Sequence, residues 1–213
     1  MTFSEFKKSI SKIEKIELFG EKAHMEMLPK FRTKELREVD VEKANPREAA
    51  VLALFYPDKD DITNIVLILR KTYKGVHSAQ IGFPGGRVEL TDSNLEETAI
   101  RETYEEVGVQ PENINILKKI TKIYIPPSNF WVHPFIGLAN HTPNFVRQET
   151  EVEQIVEVKL EDFLNESSLI EKTLNTSYAK NVNVPAFFLN EHVVWGATAM
   201  MLSEVKMILK SLI

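Results

Sequence analysis

Cysteine is absent from all 213 residues. That excludes disulfide bonds, thiolate metal sites and a cysteine nucleophile. No apolar run approaches the roughly 20 residues that a helix needs to span a bilayer. Basic side chains are outnumbered, with 26 lysines and arginines against 31 aspartates and glutamates, and they form no long run. That balance argues against general nucleic-acid binding. The N-terminus is amphipathic and mixed in charge, unlike a signal peptide. The terminal Ser211-Leu212-Ile213 is not a peroxisomal address. The expected location is the cytoplasm. His24, His141 and His192 have no acidic or cysteine partner at ligand spacing, so no zinc site is expected. Internal repeats and low-complexity segments are also missing.

What remains is an ordinary soluble composition, 43% apolar and 27% charged. The length suits one domain with terminal additions. Residues 1–46 read as an N-terminal helix and a wrapping segment, and residues 47–213 as the main domain. Phe3, Phe6, Ile10, Ile13 and Ile16 recur at three- and four-residue steps, which predicts a helix over 2–17. Strands are expected over 49–55, 65–70, 81–83, 114–124, 131–139 and 153–158. A short helix is expected over 162–169. A late hairpin should join 184–189 to 192–195 through Asn190-Glu191, and a closing helix should fill 196–212. This order suits an α/β/α sandwich around a mixed sheet.

The segment Gly85–Val109 carries the chemistry. Within Arg101-Glu102-Thr103-Tyr104-Glu105-Glu106, three carboxylates stand at i, i+3 and i+4. At about 100° per residue they share one helical arc, where like charges repel. A bound divalent cation removes that conflict, and oxygen ligands suit Mg²⁺ or Mn²⁺. Alone, E-x-x-E-E more often marks a solvated face. Its surroundings favour a site. Ser93 and Glu96 form an S-x-x-E capping box, and Gly108 followed by Pro111 ends the helix. Ala99, Ile100, Thr103, Tyr104 and Val107 form an adjoining apolar face for packing on a sheet. Arg101 precedes Glu105 by four residues and can steady it.

With the Pro84-Gly85-Gly86 turn upstream, the segment resembles the Nudix box, G-x5-E-x7-R-E-U-x-E-E-x-G-U, where U is aliphatic. Glu102, Glu105, Glu106 and Gly108 match directly. Asp92 stands at the first glutamate position, eight residues rather than seven before Arg101, and reads as a ligand or a helix-cap residue. Thr103 stands at the first U. The preceding run, Val66 to Gly86, resembles the coenzyme A pyrophosphatase branch. Arg70, His77, Gln80, Phe83 and the PGG turn match its pattern, whereas Ile68, Lys71, Lys74, Gly75 and Ala79 depart from it. Further segments at 47–52, 128–137, 151–158 and 195–199 also resemble that branch.

The resemblance implies the Nudix sandwich, with the box helix turning its metal face to a cleft. It implies Glu102, Glu105 and Glu106 as ligands for Mg²⁺ or Mn²⁺. The catalytic set is expected to be Glu105, Glu151 and Arg101, with Glu149 and Glu153 competing with Glu151 as general base. Arg70, His77, Gln80, Phe83, Gly85, Gly86 and Arg87 are expected to bind substrate. The implied reaction is metal-assisted hydrolysis of a phosphoanhydride, splitting coenzyme A or acyl-CoA into 4′-phosphopantetheine and adenosine 3′,5′-bisphosphate. ADP-ribose or a dinucleotide is the nearest alternative substrate, and a non-catalytic binding module the more distant reading. The expected partner is a small molecule, with no nucleic acid or membrane, and a homodimer is compatible with the sequence.

Overall fold

The computed structural model describes residues 1–29, 44–71, 80–175 and 180–213. Its centre is β1 (Arg47–Pro57), whose apolar run is buried on both faces. β1 is antiparallel to β2 (Thr63–Arg70) and to β4 (Gly85–Arg87). It is parallel to β7 (Phe130–Ala139), in a register running from Arg47 opposite Phe130 to Phe55 opposite Leu138. β2 also pairs with β3 (Ile81–Gly82) and β8 (Val152–Lys159), while β5 (Ile114–Lys119) and β6 (Ile123–Ile125) pair with β7. A smaller sheet holds β9 (Leu169–Leu174), β10 (Val182–Leu189) and β11 (His192–Trp195).

Side chains alternate along β1, so each face feeds a different layer. Ala50, Leu52, Leu54 and Tyr56 pack with Ala99 and Val107 of the box helix. Ala49, Val51, Ala53 and Phe55 join residues from the first and last helices, α1 (Phe3–Ile10) and the Gly196–Lys210 segment. The fold is therefore the expected mixed α/β sandwich with an added N-terminal helix. Between those two helices lie α2 (Glu21–Glu26), the box helix α3 (Leu95–Val107) and α4 (Leu160–Leu164), so the closing helix is α5.

Several local expectations need correction. The first helix stops at Ile10, held at its start by the reciprocal bonds of Thr2 and Glu5. A 3₁₀ turn at Ile13–Lys15 then keeps Ile13 buried, because i, i+3 spacing serves either helix type. α3 is capped by Asn94, whose side chain accepts from Glu97 N at 2.9 Å, rather than by Ser93 with Glu96. Glu97 in turn accepts from Ser93 N at 2.7 Å. Tyr104 is 43% exposed, while Thr98 takes a place on the buried face. The strand expected over 114–124 is two strands. Pro134 of β7, opposite the break, has no N–H to extend the ladder. Thr121, inside the break, gives its backbone N–H to Glu204 at 3.0 Å. The helix expected over 162–169 shrinks to α4 and a 3₁₀ turn before β9 begins. The late hairpin forms as expected, with Asn190 and Glu191 at φ 43° and 66°, the left-handed pair of a type I′ turn.

The N-terminal segment shares the main core. Phe6 is fully buried with its ring 5.1 Å from that of Phe55. Glu204 of α5, also fully buried, accepts from Gly20 N at 2.9 Å and from the Thr121 hydroxyl at 2.7 Å. No helix among the described residues is long and apolar enough to cross a membrane.

Candidate active site

The site forms where β4 passes under α3. Gly85 donates its N–H to Glu106 Oε2 at 2.8 Å. A Cβ on Gly86 would meet the Glu102 carboxylate at 2.5 Å, so only glycine lets that carboxylate lie against the strand. Gly86→Ala is expected to displace Glu102 and cut kcat by about tenfold or more, since small misplacements of catalytic groups are costly. Its Tm should barely change, because the displaced atoms are the end of a flexible side chain. An unchanged kcat would mean that the position of Glu102 is irrelevant to turnover.

Glu106 is 1% exposed, and burial pushes its carboxyl up to about 7. Arg70 Nη1 lies 3.3 Å from its Oε1, too poorly aligned for a hydrogen bond, and that oxygen accepts none. Arg70 is held instead by Gly85 O, which accepts from Nη2 at 2.6 Å. Burial also raises the Glu102 carboxyl, partly opposed by Arg101.

Arg101 organises the acidic face. It forks onto Asp92, with Nε to Oδ1 at 2.8 Å and Nη2 to Oδ2 at 2.9 Å. Its Nη1 reaches Glu102 at 3.0 Å and Glu105 at 3.1 Å, and its Nη2 also donates to Arg87 O. The steadying of Glu105 is thus present, but the stronger partner is Asp92. Those hydrogen bonds hold the Asp92 carboxyl far below the usual carboxylate range. Asp92 also accepts from Glu89 N and the Thr98 hydroxyl. It therefore locks the loop to the helix. No sequence pattern revealed this role, because the one-residue expansion hid the Asp92–Arg101 pairing.

The segment before β8 closes the other side. Val146 N and Gln148 N donate to Val107 O and Glu106 O at the end of α3. Glu151 is tied by its backbone, accepting from Lys71 N at 2.8 Å and donating to the Gln148 side chain at 2.7 Å. Its exposed carboxylate is near enough to add to the upward shift of Glu106. Glu149 and Glu153 are likewise exposed.

Among the expected substrate residues, Arg70, Gly85, Gly86 and Arg87 converge on this loop. Gln80 accepts from Arg70 N through its backbone. Phe83 is 1% exposed and belongs to the core, so its ring offers no surface to a ligand. His77, with Lys74, Gly75 and Ala79, lies outside the described residues.

The donor set fits a hard divalent cation: three carboxylates on one helix, one with a buried oxygen lacking a hydrogen bond. As placed, no three acidic or histidine side chains among the described residues converge at ligand spacing, because Arg101 holds Glu102 and Glu105.

Known proteins resemble this chain in sequence and in fold. Residues 46–177 match the NUDIX domain. The peroxisomal coenzyme A diphosphatase ndx-8 of Caenorhabditis elegans is 28% identical, over 78% of this chain and 70% of its own length. The Nudix hydrolase NudL of Yersinia enterocolitica is 30% identical, over 73% of this chain and 78% of its own. The crystal structure of RenU, a Nudix hydrolase from M. smegmatis, shares the fold at a TM-score of 0.54 and 14% identity, covering 79% of this chain and 88% of that one. With the domain match spanning more than half of its residues, and with the box carboxylates on α3 above the glycines of β4, the chain belongs to the Nudix family of pyrophosphohydrolases.

Proposed function

We propose that the protein hydrolyses coenzyme A or an acyl-CoA at the diphosphate, with Glu102, Glu105 and Glu106 holding Mg²⁺ or Mn²⁺. The observation that carries the reading is the pairing of buried Glu106 with Arg70 beside Gly85 of β4. This pairing sets an anion-binding cation beside a cation-binding carboxylate. Support for coenzyme A comes from the Arg70-to-Gly86 run and from the likeness to ndx-8.

When bound, the cation offsets phosphate charge and lowers the pKa of water. Arg70 turns its guanidinium to a phosphate oxygen, which suits a planar fork. Glu151 accepts the proton of the attacking water, its backbone fixed by Lys71 and Gln148 while its carboxylate has no hydrogen-bond partner among the described residues. Arg101 keeps Glu102 and Glu105 on the helix face. The water oxygen joins phosphorus as the P–O anhydride bond breaks, releasing 4′-phosphopantetheine and adenosine 3′,5′-bisphosphate.

The test is incubation of the full chain with Mg²⁺ or Mn²⁺ and coenzyme A, acyl-CoA, ADP-ribose or NADH, with products identified by mass. Phosphopantetheine and the bisphosphate should dominate. Faster cleavage of ADP-ribose than of coenzyme A would transfer the assignment to that substrate.

A further inference from the structure

The face of the sheet that carries α3 extends beyond it, and the extension is aromatic and basic. Ala50 of β1 packs with Ala99 of α3. Gly86, under the Glu102 carboxylate, is the β4 partner of Ala50, and His133 is its β7 partner. Cross-strand partners share a face, as do residues two apart. Glu48 therefore lies on this face too, with Trp131 opposite it and Tyr124 opposite Trp131. Trp131 thus stands two strand spacings, about 10 Å, across the sheet from Gly86 and two residues, about 7 Å, along it. Arg47 stacks on Phe130 in the same register, but on the opposite face. Trp131 and Tyr124 are half-buried, with ring centroids 5.4 Å apart. Lys122, in the break between β5 and β6, sets its ammonium 4.2 Å from the centroid of the Trp131 ring. Lys119, opposite Phe135 on the same face, lies 5.9 Å from that ring. Both lysines are exposed, and neither ammonium has an ion pair or hydrogen bond among the described residues. Glu48, the acid of this shelf, is turned to His133. Burial lowers the His133 imidazole against the pull of Glu48, and Lys119 and Lys122 are near enough to lower it further. Two ammonium groups thus gather around one imidazole, which itself holds the nearby acid.

Coenzyme A is asymmetric about its diphosphate. One arm is neutral and flexible, and the other is a flat base with a further phosphate dianion. An aromatic, cationic shelf within a nucleoside's reach of Glu102, and on its side of the sheet, matches the second arm. Building on the coenzyme A reading above, we propose that Trp131, Lys122 and Lys119 form the subsite for the 3′-phosphoadenosine end. Adenine takes the place of the Lys122 ammonium over the indole, since a base offers a π-face to stack. The displaced ammonium pairs with the 3′-phosphate, and Lys119 lends a second cation. Trp131 holds the base whether or not the ribose carries that phosphate, whereas the two lysines read the phosphate itself.

Titration without turnover tests this. The chain has two tryptophans, so Trp195→Phe leaves Trp131 as its only indole. In that background the emission should change on adding adenosine 5′-monophosphate or adenosine 3′,5′-bisphosphate. Calorimetry should find the bisphosphate bound about tenfold more tightly, as expected for charge-assisted contacts. The double variant Lys119→Ala with Lys122→Ala should lose that preference and still bind both nucleotides, and because both positions are exposed its fold should be unaltered. Lys122→Arg should keep the preference. Trp131→Leu should weaken both nucleotides in parallel by about tenfold, the loss of one stacked base. In turnover, the double alanine variant should lower kcat/KM for coenzyme A about tenfold relative to dephospho-coenzyme A. Three results each overturn the subsite: no measurable binding of the bisphosphate, binding that leaves Trp131 emission unchanged, or an unaltered preference in the double variant. A wild type that cleaves neither coenzyme overturns the substrate reading instead, and the titration then still decides the subsite.

Discussion

Glu106→Gln is expected to abolish turnover while leaving the fold at least as stable. Glu106 is the most deeply buried of the box carboxylates, and a neutral amide at this position is a poor ligand for a hard cation. Losing several kcal/mol of charge stabilisation corresponds to at least about a hundredfold in kcat. The amide oxygen can still accept from Gly85 N, so the contact between turn and helix survives. Stability follows from the sign of the pKa shift. Burial raises the folded-state carboxyl above its ordinary value, to about 7, so the folded protein holds the proton more tightly than the unfolded chain. Ionising it therefore costs stability as pH rises from the ordinary carboxylate value towards 7. Glutamine removes that cost, whose upper limit is about 3 kcal/mol from the size of the shift. Thermal melts at pH 8 without added metal should give the variant an equal or higher Tm. A lower Tm at full activity would remove Glu106 from the site.

Arg101→Ala should be the most destabilising single change in the active site. It strips the fork from Asp92, whose side chain is only 2% exposed. Breaking such a pair leaves an uncompensated charge and costs several kcal/mol. The Glu89 N–H and the Thr98 hydroxyl still satisfy Asp92, which places the loss near the low end, at about 3 kcal/mol. Because the folded-state pKa of Asp92 is depressed, its contribution is present above the ordinary carboxylate range and is lost as pH falls through the folded value. The Tm gap between wild type and variant should be widest near neutrality and narrow as acid protonates Asp92. A gap that is constant with pH would rule out Asp92 as the main partner. Activity should fall as well, since Glu102 and Glu105 lose their common anchor. Lysine should rescue little, because one ammonium cannot reproduce the bidentate fork.

The placement of the box carboxylates could be read directly because it is local. Residues three and four apart on a helix must share a face, so Glu102, Glu105 and Glu106 were certain to stand together once the helix was accepted. Pro84-Gly85-Gly86 read as a turn, whereas the structure puts Gly85 and Gly86 in β4, close against the carboxylates of α3. The late hairpin was legible for the same reason, since Asn190-Glu191 encodes its own turn. What depended on distant partners was not legible. Asp92 was ambiguous until Arg101 was seen to grip it across the loop. Phe83 matched a substrate-binding pattern, yet burial decides its role. The Arg47–Phe130 stack depends on the parallel register of β1 with β7, which no single-sequence periodicity specifies. α2 and β9 are short and weakly patterned, and tertiary contacts define them.

Glu204 also separates two kinds of boundary. The family match begins at residue 46, but this buried carboxylate takes one of its donors from Gly20. Phe6 fills the layer beneath Phe55 on the same face. A chain trimmed to residues 46–177 would retain every box residue and yet lose both Phe6 and α5 from one face of the sheet. The matched range is thus smaller than the packed core, to which the early segment and α5 both contribute.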